Sequence, residues 1–249
     1  MAQEPHVPRV DLREVERRWE AMVAANPAFF DGRLLHVRAV VRNGHGGATL
    51  HVAECAYRHW AVGLPDLLRR FHVADPAFDT GVRALGVKGL VIAEGAVLVG
   101  RRGPWVAAYP DCWEFAPGGG LEPGWEPRAM LERELLEETG IRCGREARMS
   151  SVALLLDGSV RSWEIVQRVH LERRVDLTRA EGEYTALRWV PLERIATAVG
   201  SRAGMSEGAA TPTERHRREL LAEVCGGPVT DCAALMVPLL TSAEALAAP

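Results

Sequence analysis

The sequence is short of the features that would commit a chain to a membrane, an oxidising compartment or a nucleic acid. No apolar run in its 249 residues approaches the roughly 18 residues that cross a bilayer, so no membrane partner is expected. The opening stretch MAQEPHVPRVDLREVERR has acidic residues and no apolar segment; a secretory signal is not expected, and the cytoplasm is the expected location. Cys55, Cys112, Cys143, Cys225 and Cys232 form no CxxC pair and no ligand-like spacing, which predicts reduced thiols rather than a zinc site or a disulfide framework. There is no basic surplus: the net charge of −3 speaks against binding a phosphate backbone, so no nucleic-acid partner is expected. Lysine is almost missing, with Lys88 alone among 30 basic residues. A genome rich in G and C accounts for that arginine bias without any partner.

What is present is the composition of a soluble globular protein, 47% apolar and 25% charged, in a chain long enough for one large core plus an appended lobe. Residues 11–25 read as an amphipathic helix with Asp11 as N-cap, stopped at Asn26-Pro27. Leu34–Val41 and Ala48–Trp60 read as strands flanking the turn Asn43-Gly44-His45-Gly46-Gly47, and Pro65–Val73 as a short helix. Asp75-Pro76 and Asp79-Thr80-Gly81 mark a boundary. Next come Leu85–Ala93 and Ala96–Arg102, two apolar runs joined at Glu94-Gly95. A loop with Gly103, Pro104 and Pro110 follows, then a short strand from Trp113 and the glycine loop Pro117–Gly120. Ser150–Leu156, Ser162–Leu171 and Tyr184–Val190 read as further strands, Leu192–Val199 as a helix, Ser201–Thr213 as a loop, and Thr213–Val224 and Val229–Leu246 as closing helices. There are no internal repeats. Strands and helices interleave without strict βαβ order, which predicts an α/β fold with a mixed sheet between helices. The expected division is an N-terminal α+β lobe over 1–83, a central domain over 84–200, and a C-terminal loop and helices over 201–249.

The stretch from Gly119 to Ile141 organises the rest. Pro127 suits the first position of a helix and Gly140 its C-terminal stop, with Leu131 and Leu135 as the buried stripe. Glu134, Glu137 and Glu138, three and four apart, are expected on one helix face away from the core. Clustered carboxylates repel one another unless a hard cation sits among them, and oxygen ligands of this kind suit Mg²⁺, Ca²⁺ or Mn²⁺.

These residues resemble the signature of the Nudix hydrolases, a glycine and a glutamate ahead of Arg-Glu-aliphatic-x-Glu-Glu-x-Gly-aliphatic. Gly119, Arg133, Glu134, Leu135, Glu137, Glu138, Gly140 and Ile141 match. The signature's first glutamate falls on Trp125, with Glu126 one place late, which puts the number of bound ions in doubt. The resemblance implies the Nudix α/β/α sandwich with a mixed sheet. It also implies a pyrophosphohydrolase in which Glu134, Glu137, Glu138 and the carbonyl of Gly119 hold Mg²⁺, with Mn²⁺ as a substitute, while Arg133 orients the carboxylates. In family style the general base is a glutamate of a later loop, Glu183 with Glu181 as its neighbour, or else Glu137 of the signature itself.

Substrate contacts rest on position. Arg101 and Arg102 end a strand just before the loop leading to the signature, a place from which a guanidinium can grip a diphosphate. Glu114 and Trp113 border the same cleft, where the tryptophan serves as a stacking face or fills core. Glu164 and Gln167 share a strand expected to face it. Residues 26–34, NPAFFDGRL, with Cys55-Ala56-Tyr57-Arg58, resemble the extension of Nudix enzymes that hydrolyse UDP-glucose and UDP-galactose, so a nucleotide sugar leads as the small-molecule nucleoside diphosphate substrate, ahead of ADP-ribose. The other role open to the lobe is packing on the sheet or a homodimer contact. Two alternatives stand beside this reading: a Nudix-fold binding module without catalysis, opposed by the intact Arg133–Gly140 segment, and hydrolysis of damaged nucleoside triphosphates.

Overall fold

The computed structural model describes residues 5–64, 78–144, 147–177, 182–203 and 213–241. The expected helix Pro65–Val73, the Asp75-Pro76 turn and Glu181 lie outside them. The chain forms two compact units: Met1–Val87 with Gly120–Met130 and Leu156–Glu164, and Lys88–Gly119 with Leu131–Leu155 and Ile165–Pro249.

In the first unit, helix α1 (Leu12–Ala25) begins where the sequence places it, with the Asp11 carboxylate accepting the Arg13 N–H at 2.9 Å. Its apolar spacing buries Val15, Trp19 and Met22, and Arg18 is buried beside them because Glu14 accepts its Nε–H at 2.6 Å. Strands β1 (Arg33–Arg42) and β2 (Ala48–Ala56) form an antiparallel hairpin running from Arg33 opposite Ala56 to Arg42 opposite Ala48. The Asn43 side chain closes it by accepting the Gly47 N–H at 2.9 Å. The second strand is shorter than expected: Tyr57–Ala61 turn into helix α2. Asp31 draws the chain round at that point, accepting the Arg58 backbone N–H at 2.9 Å and pairing with its guanidinium at 3.0 Å. Tyr57 and Trp60 then pack on Leu34, Cys55, Val82 and Ala84.

Strand β3 (Ala84–Ala93) leads through the two-residue turn Glu94-Gly95 into β4 (Ala96–Arg102). Both turn residues are left-handed, at φ 45° and 68°, the twist that a tight hairpin requires. Strand β9 (Tyr184–Pro191) pairs antiparallel with β4 from Ala96 to Arg102. The opposite edge of β4 is shared: β3 pairs at Ile92–Val97, and β5 (Trp113–Phe115) takes over from Val99 to Arg101. The short β6 (Gly118–Gly120) pairs with β3, as does β8 (Ser162–Leu171), which also pairs with β7 (Arg148–Asp157).

Strand β4 shows that the sheet of the second unit is covered on both faces. Val97 and Val99 join the apolar cluster built on helices α4 (Leu192–Ala203), α5 (Glu214–Cys225) and α6 (Asp231–Thr241). Leu98 points the other way by the period of a strand, yet has no exposure either. The fold is thus α/β, a mixed sheet with helices, as the sequence predicts. Helix α4 runs through Ala203, so the expected loop starts later than Ser201. Among the described residues no helix is long and apolar enough to cross a membrane.

Candidate active site

The glycine loop and helix α3 (Pro127–Thr139) carry the signature residues. The helix starts at Pro127 and ends against Gly140, whose φ of 73° permits the left-handed stop. Leu131 and Leu135 are fully buried, so the helix is anchored by the stripe that its sequence predicts.

The three glutamates do not share one environment, which corrects the expectation of a single carboxylate face. Glu134 and Glu138, four apart, stay on one side of the helix; Glu137 is rotated off it, with 61% of its side chain exposed against 14% for Glu134. Glu138 is 5% exposed, and its carboxylate accepts the Gly118 N–H at 3.1 Å. Burial lifts the Glu138 carboxyl well above the ordinary carboxylate range, and the negative charges of Glu183 and Glu134 push it further. Glu134 is raised for the same first reason, opposed by Arg133 and reinforced by Glu137 and Glu183. Arg133, expected to orient the carboxylates, has Nη2 3.2 Å from Glu134 Oε1 and Nε 3.9 Å from Glu137. Gly119 has a steric reason to be glycine: a Cβ there would stand 2.7 Å from Glu134 Cδ.

Beside these carboxylates lies a buried ionic network. Glu114, 4% exposed, is bound from three sides: Arg102 Nη1 at 2.6 Å, Lys88 Nζ at 2.8 Å and the Tyr184 hydroxyl at 2.9 Å. Desolvation by itself would raise the Glu114 carboxyl, but Arg102 and Lys88 outweigh it and hold the group down at about 2. Arg102 also donates through Nε to the Ala108 carbonyl at 2.9 Å and reaches Glu183 at 2.9 Å. Glu183, with 49% of its side chain exposed, is therefore fixed from inside and open to water. Its charge acts on both Glu134 and Glu138, which brings the base expected from a distant loop to the signature helix.

The remaining expected contacts divide. Arg101 is exposed at the rim, 3.3 Å from Asp111. Arg102 and Glu114 are turned into the network rather than toward a ligand. Trp113 is 9% exposed within the core cluster, and the Arg188 guanidinium lies 4.2 Å from its ring centroid. Glu164 accepts from the Ser162 hydroxyl at 2.6 Å, and Gln167 is 2% exposed with its Nε2 unpartnered among the described residues. Trp125, in the place of the absent glutamate, is 40% exposed. Sequence reasoning missed Lys88 and Tyr184. The signal for Lys88 was there, a single charge inside the buried run of β3; nothing in the strand Tyr184–Val190 marked its first residue.

The donor set suits a hard divalent ion. Glu134 is half-buried and Glu138 buried, the negative charge of the first acts on the second, and Gly118 and Gly119 of the glycine loop adjoin them. Among the described residues no three acidic, histidine or cysteine groups are gathered closely enough to enclose an ion by themselves.

The NUDIX domain family model matches residues 82–209, just over half of the chain. An RNA pyrophosphohydrolase of Rhodopseudomonas palustris (strain BisA53) is 28% identical over 127 residues, which cover 43% of this chain and 72% of that protein. Among solved structures, DR0079 of Deinococcus radiodurans is 15% identical at a TM-score of 0.44, covering 78% of this chain and 99% of its own. A bifunctional NMN adenylyltransferase/ADP ribose pyrophosphatase from Francisella tularensis is 19% identical at a TM-score of 0.43, covering 71% of this chain and 44% of its own.

Proposed function

The chain belongs to the NUDIX family, and from that premise we propose that this pyrophosphohydrolase cleaves the diphosphate bond of a nucleotide sugar. Water adds to one phosphorus, the bridging oxygen leaves with the other, and the products are a nucleoside monophosphate and a sugar phosphate. The observation that carries the reading is the group Glu134, Glu138 and Glu183, three mutually repelling carboxylates beside Gly118-Gly119.

Glu134 and Glu138, with the Gly119 carbonyl and Glu137 from the exposed side, would hold Mg²⁺ or Mn²⁺. Such an ion supplies charge neutralisation on phosphoryl oxygens and lowers the pKa of bound water. Arg133 keeps the Glu134 carboxylate aimed at the site. Glu183 is the stronger choice of base over Glu137, because Arg102 fixes its carboxylate at 2.9 Å, whereas among the described residues the ion pair of Glu137 is the 3.9 Å approach of Arg133. Arg101, exposed at the rim, meets the diphosphate. Choice of a UDP-hexose rests on the N-terminal lobe, residues 26–34 and 55–58.

The test is a product analysis with Mg²⁺ on UDP-glucose, ADP-ribose, NADH, dinucleoside polyphosphates, nucleoside triphosphates and a 5′-triphosphorylated RNA. UDP-glucose giving UMP and glucose 1-phosphate at the highest kcat/KM supports the proposal; a different preferred substrate moves it within the same reaction class. Glu137→Gln and Glu138→Gln should each abolish turnover in a folded protein. Unchanged turnover in Glu138→Gln would refute the mechanism.

A further inference from the structure

The one lysine of the chain runs beside the glycine loop and takes no part in the proposed reaction. Lys88 stands in β3 with 12% of its side chain exposed. Its Nζ donates to Glu114 Oε2 at 2.8 Å, while Arg102 and the Tyr184 hydroxyl take the other oxygen, Oε1. Its stem crosses the loop itself. A Cβ on Gly118 would stand 2.5 Å from Lys88 Cδ and Nζ and 2.8 Å from Cε, so the lysine lies against glycine backbone that any side chain would push it off. The residue it lies on is the one whose N–H donates to Glu138 at 3.1 Å. The next residue of β3 adds a second tie to the loop, from the Gly89 N–H to the Pro117 carbonyl at 2.8 Å. The lysine charge also acts on Glu138, and all of these residues belong to the second unit.

Contacts thus run without a gap from Glu183 through Arg102, Glu114 and Lys88 to Gly118 and Glu138. An ammonium on an unbranched stem is a compact point charge; here its tip meets Glu114 and its length meets Gly118. We propose that Lys88 is a positioning residue that clamps the glycine loop against helix α3, keeping the Gly118 N–H on Glu138 and Gly119 against Glu134. Groups that hold a metal ligand in place commonly change metal affinity about tenfold to a hundredfold when lost. A cation this close to the carboxylates would also repel an ion, so the sign of the change on removing it separates a clamp from a source of repulsion. The inference rests on the proposed reading of Glu134 and Glu138 as metal ligands.

The test is titration calorimetry of Mn²⁺ into the full chain without substrate, for wild type, Lys88→Ala, Gly118→Ala and the double variant, with amide hydrogen exchange over residues 117–120 in the metal-free proteins. Gly118→Ala keeps the lysine but pushes it off the loop, so it removes the same contact by another route and carries the test if Lys88→Ala does not fold. Each single variant should bind Mn²⁺ about tenfold more weakly and exchange faster over 117–120. Both remove one contact, so the double should be about as weak as either single rather than showing the roughly hundredfold loss of independent effects. At a fixed low Mn²⁺ concentration kcat should fall about tenfold while KM for the preferred nucleotide derivative stays within about threefold. Unchanged or tighter Mn²⁺ binding in the single variants overturns the clamp, the tighter binding assigning Lys88 to repulsion of the ion. Losses that multiply in the double overturn it as well, as does unchanged exchange over the loop. Wild-type chain that binds no Mn²⁺ refutes the metal site and the clamp with it. Weaker Mn²⁺ binding in the variants of a protein that hydrolyses no nucleoside diphosphate derivative supports the clamp and refutes the reaction.

Discussion

Replacing Arg102 by methionine should destabilise the protein far more than removing the half-exposed Glu183 to which it is also paired. The guanidinium is 8% exposed and makes three charge-assisted or carbonyl contacts, to Glu114, Glu183 and the Ala108 carbonyl. Methionine keeps the stem and removes all three. Breaking one side of a buried ion pair costs about 3–5 kcal/mol, because the remaining charge is left without compensation. Glu114 would still have Lys88 at 2.8 Å and Tyr184 at 2.9 Å, so the loss should fall near the lower end, about 3 kcal/mol. Glu183→Gln, at a carboxylate with 49% of its side chain exposed, should cost about 1 kcal/mol or less. Urea unfolding followed by circular dichroism, on single variants and on the doubles Arg102→Met/Glu114→Gln and Arg102→Met/Glu183→Gln, measures both couplings. The Arg102–Glu114 coupling should be about 2 kcal/mol and clearly the larger. A loss below about 1 kcal/mol for Arg102→Met, or a larger coupling to Glu183 than to Glu114, would refute the view that Glu114 is the anchor and Glu183 the group being held.

Two further outcomes follow from the same geometry. Gly119→Ala puts a methyl group 2.7 Å from Glu134 Cδ; the carboxylate must shift, and the Mg²⁺ concentration for half-maximal activity should rise on the order of tenfold, whereas an unchanged metal dependence would count against Glu134 as a ligand. The pH dependence of stability should show His36, which is 7% exposed and accepts the Arg83 N–H on Nδ1 at 3.0 Å. Burial, with the nearby ring of His6, holds its pKa down at about 4 instead of 6.5. A depressed histidine contributes its stability fully above pH 6.5 and loses it as the pH falls toward 4, since the unfolded chain takes up the proton first. The loss should reach on the order of 2–3 kcal/mol, and it begins above the range in which Glu14 and Asp79, both depressed by arginine hydrogen bonds, are protonated. Equilibrium unfolding at pH 8 and pH 5 should show a fall in the wild type that shrinks in His36→Asn; an equal fall in both would remove His36 as the cause.

The parts legible in the sequence are those whose cause is local. Asp11 before an amphipathic run, Glu94-Gly95 between apolar runs, and Pro127 with Gly140 around the signature each state a backbone requirement within a few residues. The strand expected through Trp60 fails for the complementary reason: the turn at Tyr57 is imposed by Asp31, well removed along the chain. Likewise the single carboxylate face expected for α3 is a statement about helix angles alone, and it cannot show that Glu138 is buried under Gly118 while Glu137 faces water.

By itself, then, the sequence determined the reaction class and the helix that carries it, because the order of Gly119, Arg133, Glu134, Glu137 and Glu138 encodes their relative placement along one rigid element. Tertiary structure alone decided what surrounds that helix. Strand β4 pairs with β5 on one edge and β9 on the other, and this sets Arg102, Glu114 and Tyr184 into one buried network and brings Glu183 to the carboxylates of α3. Arginine at the end of a strand can reach out to a diphosphate or turn inward to two carboxylates; only the presence of Glu114 and Glu183 within 3 Å settled that choice, since a guanidinium leaves water only where its donors are met.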